Sequence, residues 1–262
     1  MLNKSILVIR TPSGLSGDML VTGLARLAGE DENSSQAVLE ELLQSLRLPE
    51  LSGTAHLEKR SVEGISGWGL SLTLPHSHEH RHLADVLAII EGSRLNERAR
   101  RLAARTFSLL AQAEGSVHAV AADQVHFHEV GALDSILDVC LTAALFERLS
   151  PDHFVCSPLP VCDGSVRCAH GLLATPAPAT LKLLEGMPVY GVESRGETLT
   201  PTAVALLKAL DARFGPWPAM VIERQERAYG TRVLPGLPNG AIFAWGKPCE
   251  YPAEPSGGHK HA

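Results

Sequence analysis

The stretch from Val125 to Cys140, VHFHEVGALDSILDVC, concentrates side chains that bind metals or transfer protons. His126 and His128 share one face if the backbone is extended there, because side chains alternate along a strand. Glu129 follows directly, and imidazole nitrogens together with carboxylate oxygens suit zinc, nickel, iron or manganese. The HxHE spacing is not specific to metals. A metal site, an acid/base site and the polar edge of a core helix therefore all stay open.

Two aspartates follow these residues in a run that is otherwise nearly all apolar. Asp134 and Asp138 are four residues apart, so they project from the same side of a helix that we expect to end near Leu149. A buried carboxylate needs a cation, a metal or several hydrogen bonds, because its desolvation is costly. The structural alternatives are that Asp134 is favoured by the helix N-terminus, and that Asp138 pairs with an arginine of the preceding long helix.

Histidines are frequent in two further places. His76, His78, His80 and His82 occur within PHSHEHRHLAD, and compositional clusters of this kind often bind metal. The first three are equally typical of an exposed loop, whereas His82 stands at a helix start with Asp85 one turn along. His170 lies in a segment rich in Gly and Pro, which indicates a loop.

Two segments could bind an anion such as a phosphate. SGLSGDM (13–19) joins a strand to a helix, and TLTPTAVA (198–205) places two threonines near another helix start. Free backbone amides and the helix dipole attract anions at such positions. Simple capping is the alternative, since neither segment matches the P-loop or the dinucleotide fingerprint. The residues in question are Ser16, Gly17, Asp18, Thr200 and Thr202.

The composition excludes several classes of protein. The 262 residues are 45% hydrophobic and 20% charged with a net charge of −6, so no global basic field attracts nucleic acid. The local basic run RARRLAAR (98–105) indicates the solvated face of a helix. We expect a cytoplasmic protein without membrane contact, since we find no secretory signal or membrane span. The five cysteines form no CxxC pair and indicate reduced thiols, most of them small apolar fillers.

The hydrophobic patterns predict a mixed α/β fold, in which helices cover a mixed sheet and a helical layer spans about residues 82–150. We expect a single domain over 1–247 and a disordered, histidine-containing tail over 248–262. Helices are predicted at 19–29, 35–48, 83–90, 95–120, 177–186 and 200–210, besides the one that ends near Leu149. Strands are predicted at 5–10, 54–62, 67–74, 154–161, 219–225 and 239–246.

Six segments in order resemble one family, the nickel-insertion proteins of the nickel-pincer nucleotide cofactor pathway. They are SGLSGDM, HEHRHLADVLAII, VHFHEVGALDSILDV, SPLPVCDGSV, AHGLLATPAPATLKLLEGMPV and ETLTPTAVALL. Each is unspecific alone, but together they run from about residue 13 to about residue 207, and a weaker trace continues through AYGTR and PNG. The resemblance covers the N-terminal part of the family, whose full-length members carry a further C-terminal domain.

The resemblance implies a cyclometallase-type lyase, also described as a nickel chelatase, that takes part in lactate racemase maturation. Such a protein inserts nickel into pyridinium-3,5-bisthiocarboxylic acid mononucleotide, using CTP with Mg or Mn, and forms carbon–nickel and sulfur–nickel bonds. The implied partners are a separate C-terminal domain or subunit and a second copy of the chain. Two alternatives stay open: a non-catalytic nickel-binding or delivery module, and a divergent paralogue that acts on another nucleotide.

The resemblance also implies roles for the residues singled out above. The nickel ligands would come from His82, His126, His128, Glu129 and His170. The catalytic residues would be His128, Glu129 and Asp134. The nucleotide would bind at Ser16, Gly17, Asp18, Thr200 and Thr202.

This chain departs from the family pattern at four positions where glycine is usual. They are occupied by Cys162, Ala203, Glu226 and Ala228. A bulkier side chain restricts φ and keeps the backbone farther from a ligand, so these positions bear on how a ligand is bound.

Overall fold

The computed structural model describes residues 4–48, 51, 53–74, 81–127, 130–168 and 171–250. The helices are α1 (Gly17–Ala28), α2 (Glu32–Ser45), α3 (Leu83–Gly92), α4 (Glu97–His118), α5 (Leu133–Leu149), α6 (Pro178–Leu183) and α7 (Pro201–Ala209). The strands are β1 (Ile6–Arg10), β2 (Ala55–Val62), β3 (Ile65–Leu72), β4 (Arg81–His82), β5 (His126–Phe127), β6 (His153–Cys156), β7 (Leu159–Val161), β8 (Gly164–Cys168), β9 (Gly171–Thr175), β10 (Val189–Gly191), β11 (Arg213–Phe214), β12 (Met220–Ala228) and β13 (Ala241–Pro248).

A seven-stranded mixed sheet in the order β11-β6-β1-β13-β12-β3-β2 forms the main layer. Strand β1, in the interior of this sheet, runs parallel to β6 and antiparallel to β13. The apolar run ILVI supplies β1, and all four side chains are buried because both faces of an interior strand are covered. The predicted mixed α/β class is therefore confirmed, and the sheet joins strands from both ends of the described chain.

The helical layer predicted around residues 82–150 consists of α3, α4 and α5. Helix α4 begins at a regular cap, where the Asn96 side chain accepts the Ala99 amide at 2.8 Å. Its apolar face is buried, and Phe107 contacts Phe127 of β5 with 6.1 Å between ring centroids. Its basic residues Arg98, Arg101 and Arg105 are exposed, which confirms the solvated face expected there.

The segment 154–161 differs from the single buried strand predicted for it. The chain leaves the main sheet after Cys156, and Leu159–Val161 pairs with Val189–Gly191 in a separate two-stranded sheet. Pro158 and Pro160 lack the backbone N–H that a central strand needs, so the pairing changes here. Strands β8 and β9 form a further hairpin that the sequence did not indicate. The predicted tail is described only as far as residue 250.

Three cysteines, Cys140, Cys156 and Cys162, are buried, as expected of small apolar fillers. Cys140 and Cys156 are free and fully buried, and burial raises the pKa of each thiol to about 12. Cys162 and Cys249 are free as well. Across the described ranges, no helix combines the length and the apolar character needed to cross a membrane.

We expect Phe107→Ala to lower the free energy of unfolding by about 3–5 kcal/mol, because it opens a cavity between α4 and β5. Urea unfolding followed by circular dichroism measures the change. Arg101→Ala is the matched surface control, since its ion pair with Glu97 is exposed on the same helix, and it should change stability by less than about 1 kcal/mol. Equal effects of the two variants would contradict the packing described for α4.

Candidate functional site

A cleft of about 1100 Å³ lies where the starts of α1 and α7 face α5 and the β2–β3 hairpin. Its lining brings together residues that are far apart in the sequence. They include the loop and first turn of α1, three positions on one side of α5, and the threonines before and within the first turn of α7. The polar residues of this set are Ser13, Ser16, Asp18, Glu58, Arg60, Ser61, Asp134, Ser135, Asp138, Glu197, Thr198, Thr200, Thr202, Tyr229, Thr231, Arg232 and Asn239.

The two helix starts are held together by a short backbone bridge. Leu15 donates its amide to the Thr198 carbonyl at 2.8 Å and accepts the Thr200 amide at 3.2 Å. Gly14 makes this approach possible. Its φ is +109°, and a Cβ added there would stand 1.7 Å from the Thr198 oxygen, so only glycine fits. The backbone therefore fixes both predicted anion-binding segments at one end of the cleft.

The start of α7 has features both of a simple helix cap and of an anion-binding site. Thr200 caps the helix, since its hydroxyl accepts the Ala203 amide at 3.3 Å, and Pro201 occupies the first helical position. Thr202 is buried, and both threonines line the cleft. Ser16, Gly17 and Asp18 line it from the α1 side. All five residues predicted for nucleotide binding therefore face one space, although their role stays a prediction.

Helices α1 and α5 approach closely at Gly17 and Asp138. A Cβ added at Gly17 would lie 2.3 Å from the Asp138 Oδ2 atom, so the helix start admits the carboxyl only because this residue is glycine. The Asp138 Oδ1 atom has no solvent contact and no hydrogen-bond partner among the described residues. The structural alternative, an ion pair with an arginine of α4, is wrong, because the described residues place no cation against this carboxyl.

Burial, followed by repulsion from Asp18 and Asp134, raises the pKa of Asp138 well above its usual range. Burial also raises the pKa of Asp18, although the Ser16 hydroxyl donates to its Oδ1 atom and backbone amides at the helix start support its charge. Burial therefore acts on both carboxyls at the α1–α5 contact, and the charge of Asp18 further disfavours ionisation of Asp138.

Asp134 lies in the first turn of α5 and lines the same cleft. It is exposed, and its Oδ1 atom accepts the Ser135 amide at 2.7 Å. Asp134 and Asp138 both line the cleft from α5, which confirms the prediction that they project from one side of a helix. The helix-start role of Asp134 also agrees with the dipole. Its catalytic role stays a prediction.

The cleft also contains two arginines. Arg60 of β2 contacts Glu58 at 2.6 Å and donates to the Gly230 carbonyl at 2.9 Å. Arg232 lies 3.9 Å from Glu197 and is 62% exposed, so its guanidinium can move toward a bound anion. Arg232 belongs to AYGTR, where the family resemblance continues weakly, whereas no sequence signal marks Arg60, because the register of the hairpin brings it here.

Two of the five predicted metal ligands lie side by side. His82 and His126 are direct cross-strand partners in β4 and β5, and their ring centroids are 3.8 Å apart. Arg81 donates to the Gly131 carbonyl at 3.0 Å and ties this pair to the segment that enters the cleft. Asp85 meets His82 as expected, but it accepts the backbone amide, at 2.9 Å, and not the imidazole.

The other three predicted ligands, His128, Glu129 and His170, lie outside the described residues, as do His76, His78 and His80. Within the described ranges no three His, Cys, Asp or Glu side chains are arranged to hold a metal ion. A complete nickel site is therefore a prediction that combines the His82–His126 pair with residues beyond those ranges.

Each of the four positions where the family usually has glycine is accommodated without strain, since none has a positive φ. Cys162 Sγ contacts the Gly196 carbonyl at 3.0 Å, and Glu226 forms a 3.0 Å ion pair with Arg26. Ala203 and Ala228 are fully buried. The larger side chains therefore add packing or polar contacts, and none of the four lines the cleft.

The family model described as nickel insertion protein matches residues 7–254 of the chain. A relative from Geobacter metallireducens is 41% identical over 227 residues, which are 87% of this chain and 57% of the relative. A relative from Staphylococcus epidermidis, named pyridinium-3,5-bisthiocarboxylic acid mononucleotide nickel insertion protein, is 35% identical over 80% of this chain and 52% of its own length. One of the same name from Desulfitobacterium hafniense is 39% identical over 87% of this chain and 54% of its own length.

The chain thus spans about half the length of the curated relatives it matches. No solved structure matches it with statistical significance.

We expect Asp138→Asn to stabilise the fold at neutral pH. Because the folded-state pKa of Asp138 is raised, its contribution to stability is full below about pH 4 and is lost as the pH rises toward the folded-state pKa. The variant should match the wild type near pH 4 and exceed it by about 1–3 kcal/mol at pH 7–8. Thermal unfolding across this pH range measures the difference.

Thr142→Val is the matched control for this prediction. Thr142 lies one turn farther along α5, is fully buried, and its hydroxyl has no partner among the described residues. Removing that hydroxyl should change stability by the same amount at every pH, because the group does not titrate. A difference between Asp138→Asn and wild type that stays constant with pH would contradict the raised pKa.

Proposed function

Because the chain belongs to the nickel insertion protein family, we propose that it inserts nickel into pyridinium-3,5-bisthiocarboxylic acid mononucleotide. The observation that carries this proposal is the cleft, where two helix starts and two arginines face a group of carboxylates. This substrate would carry an anionic phosphate at one end and a cationic pyridinium ring at the other. A cleft that contains groups of both signs suits such a molecule.

The phosphate would bind at the start of α7, where Thr200 and Thr202 line the cleft. The start of α1, with Asp18, lies beside it and would face the ring of the same nucleotide. Amides and a helix dipole bind an anion without any charged side chain. Arg232 at the rim would add a mobile positive charge.

Nickel is a substrate of this reaction, and the His82–His126 pair would deliver or hold it. Imidazole nitrogens are good ligands for nickel, and this cross-strand pair places two imidazole rings side by side. We propose that His128, Glu129 and His170 complete the ligand set, as the family resemblance implies. Asp85 and Asp134 would support the site from neighbouring helix starts.

The chemistry would be that of a cyclometallase-type lyase. It would depend on CTP with Mg or Mn, and on the part of the relatives that this chain does not cover, either as a partner subunit or as a further domain. We place the reaction in the cytoplasm and expect assembly into a homo-oligomer. A delivery module would only carry nickel, whereas an insertion protein would transfer the metal into the nucleotide.

The direct test incubates the chain with nickel, CTP, magnesium or manganese, and the dithiolated nucleotide, with and without the C-terminal region of a relative. We expect mass spectrometry to detect one nickel per nucleotide in the complete mixture. The control replaces the dithiolated nucleotide by the corresponding dicarboxylate, which lacks sulfur ligands. Nickel that stays on the protein in every mixture would favour the delivery function instead.

We expect the double variant His82→Ala, His126→Ala to weaken nickel binding by at least ten-fold, because two imidazole ligands are lost. Calorimetric titration of the whole chain with nickel measures the affinity. His56→Ala is the matched control, since this exposed histidine lies on β2 and hydrogen-bonds the Gly53 carbonyl. An affinity unchanged in the double variant would contradict the assignment of the pair.

A further inference from the structure

We infer that Asp18 is the general base of the cleft and accepts the proton that a ring carbon of the substrate loses when it bonds to nickel. This inference rests on the nickel-insertion function proposed above. It concerns a residue that the sequence resemblance placed only in nucleotide binding.

The reaction requires a proton acceptor. Thiocarboxylates at positions 3 and 5 flank carbon 4 of the pyridinium ring, so nickel held by both sulfurs faces that carbon. Its C–H bond breaks, the electron pair of that bond forms the carbon–nickel bond, and the proton leaves. Nickel stays divalent throughout, so no oxidant or reductant is needed. A carboxylate beside the ring would take up the proton.

Among the described carboxylates of the cleft, most are already engaged. Glu58 is held in an ion pair with Arg60 at 2.6 Å. Glu197 is close to Arg232. Asp134 is exposed and hydrogen-bonds an amide of its own helix. The remaining two are Asp18 and Asp138, which lie on the two helices of the α1–α5 contact, and the charge of Asp18 acts on Asp138.

Asp138 is the member of this pair that keeps its proton. Its Oδ1 atom is buried without a partner, and its Oδ2 atom lies against the backbone of Gly17. The charged groups that face it are Asp18 on α1 and Asp134 on its own helix, and both repel a negative charge. Neutral Asp138 leaves Asp18 as the ionised group of the pair.

Asp18 has the orientation and the proton affinity of a base. The Ser16 hydroxyl holds its Oδ1 atom at the first turn of α1, and its carboxylate lines the cleft. Burial raises its pKa above that of an ordinary aspartate, against weaker opposing effects that include the field of Arg60. A pKa closer to the working pH makes a carboxylate a better proton acceptor. When it accepts the ring proton, both carboxyls of the pair are neutral.

The test uses the dithiolated nucleotide deuterated at carbon 4, in the complete mixture with nickel, CTP and the C-terminal region of a relative. Wild type should release the deuterium to water as nickel enters, faster as the pH rises through the ionisation of Asp18. Asp18→Asn should release it at least about 100-fold more slowly, with nickel and nucleotide affinities within three-fold of wild type. Asparagine keeps the acceptor for the Ser16 hydroxyl, and circular dichroism confirms folding.

Thr142→Val is the control for a change within the same helix pair, and it should release deuterium at the wild-type rate. Release by Asp18→Asn at the wild-type rate would overturn the assignment, as would loss of nucleotide affinity in that variant, since Asp18 would then be a binding residue. If wild type binds nickel and nucleotide but never joins them, the proposed function itself fails, and the base assignment fails with it. Slow release with intact binding in Asp18→Asn alone supports the inference.

Discussion

The close contact between α1 and α5 is the constraint around which the cleft is organised. Glycine at position 17 lets the Asp138 carboxyl lie against the first turn of α1, where solvent does not reach one of its oxygens. A folded protein gains nothing in stability from a buried carboxyl without a partner, and it normally removes or neutralises such a group. Asp138 and Asp18 both line the cleft, so this cost falls where the proposed chemistry would take place.

The rest of the architecture holds that contact in place. Strand β1 leads directly into the loop before α1, and its neighbours β6 and β13 fix it in the interior of the sheet. Helix α5 packs beneath α1 with an almost wholly buried surface. The bridge at Leu15 then places the start of α7 beside the start of α1. Positive helix termini and negative carboxyls are thus brought to the same cleft by the packing of α1, α5 and α7 and by the position of β1 in the sheet.

Much of this could be predicted from the sequence, because the signals were local. The apolar spacing from Leu95 to Val120 identified α4, and Pro201 after Thr200 marked the start of α7. The four-residue spacing of Asp134 and Asp138 gave their common side. What spacing could not supply was the partner of each group. The sequence allowed Asp138 either to pair with an arginine of α4 or to be buried without a partner. The packing of α1 against α5 leaves its carboxyl without a partner among the described residues.

Other features depended on long-range pairing that leaves no trace in a short window. Arg60 reaches the cleft because of the register of the β2–β3 hairpin and because Ala228 of β12 pairs with Trp68 of β3. His82 and His126 meet through strands of two residues, which are too short to produce a pattern. The prediction of one strand over 154–161 is wrong, because the segment forms two strands that pair in different sheets. Both are apolar and follow closely in the sequence, so the pattern does not separate them.

The Leu15–Leu199 bridge has a consequence for how the protein acquires its binding surface. The two helix starts belong to opposite halves of the chain, so neither half alone can assemble the anion end of the cleft. Contacts of such large sequence separation form late in folding, since loop closure must come first. A nucleotide that bridges both helix starts would bind only the completed fold and would therefore shift the folding equilibrium toward it by mass action. In a growing chain, such a nucleotide could therefore bind only after α7 has been synthesised.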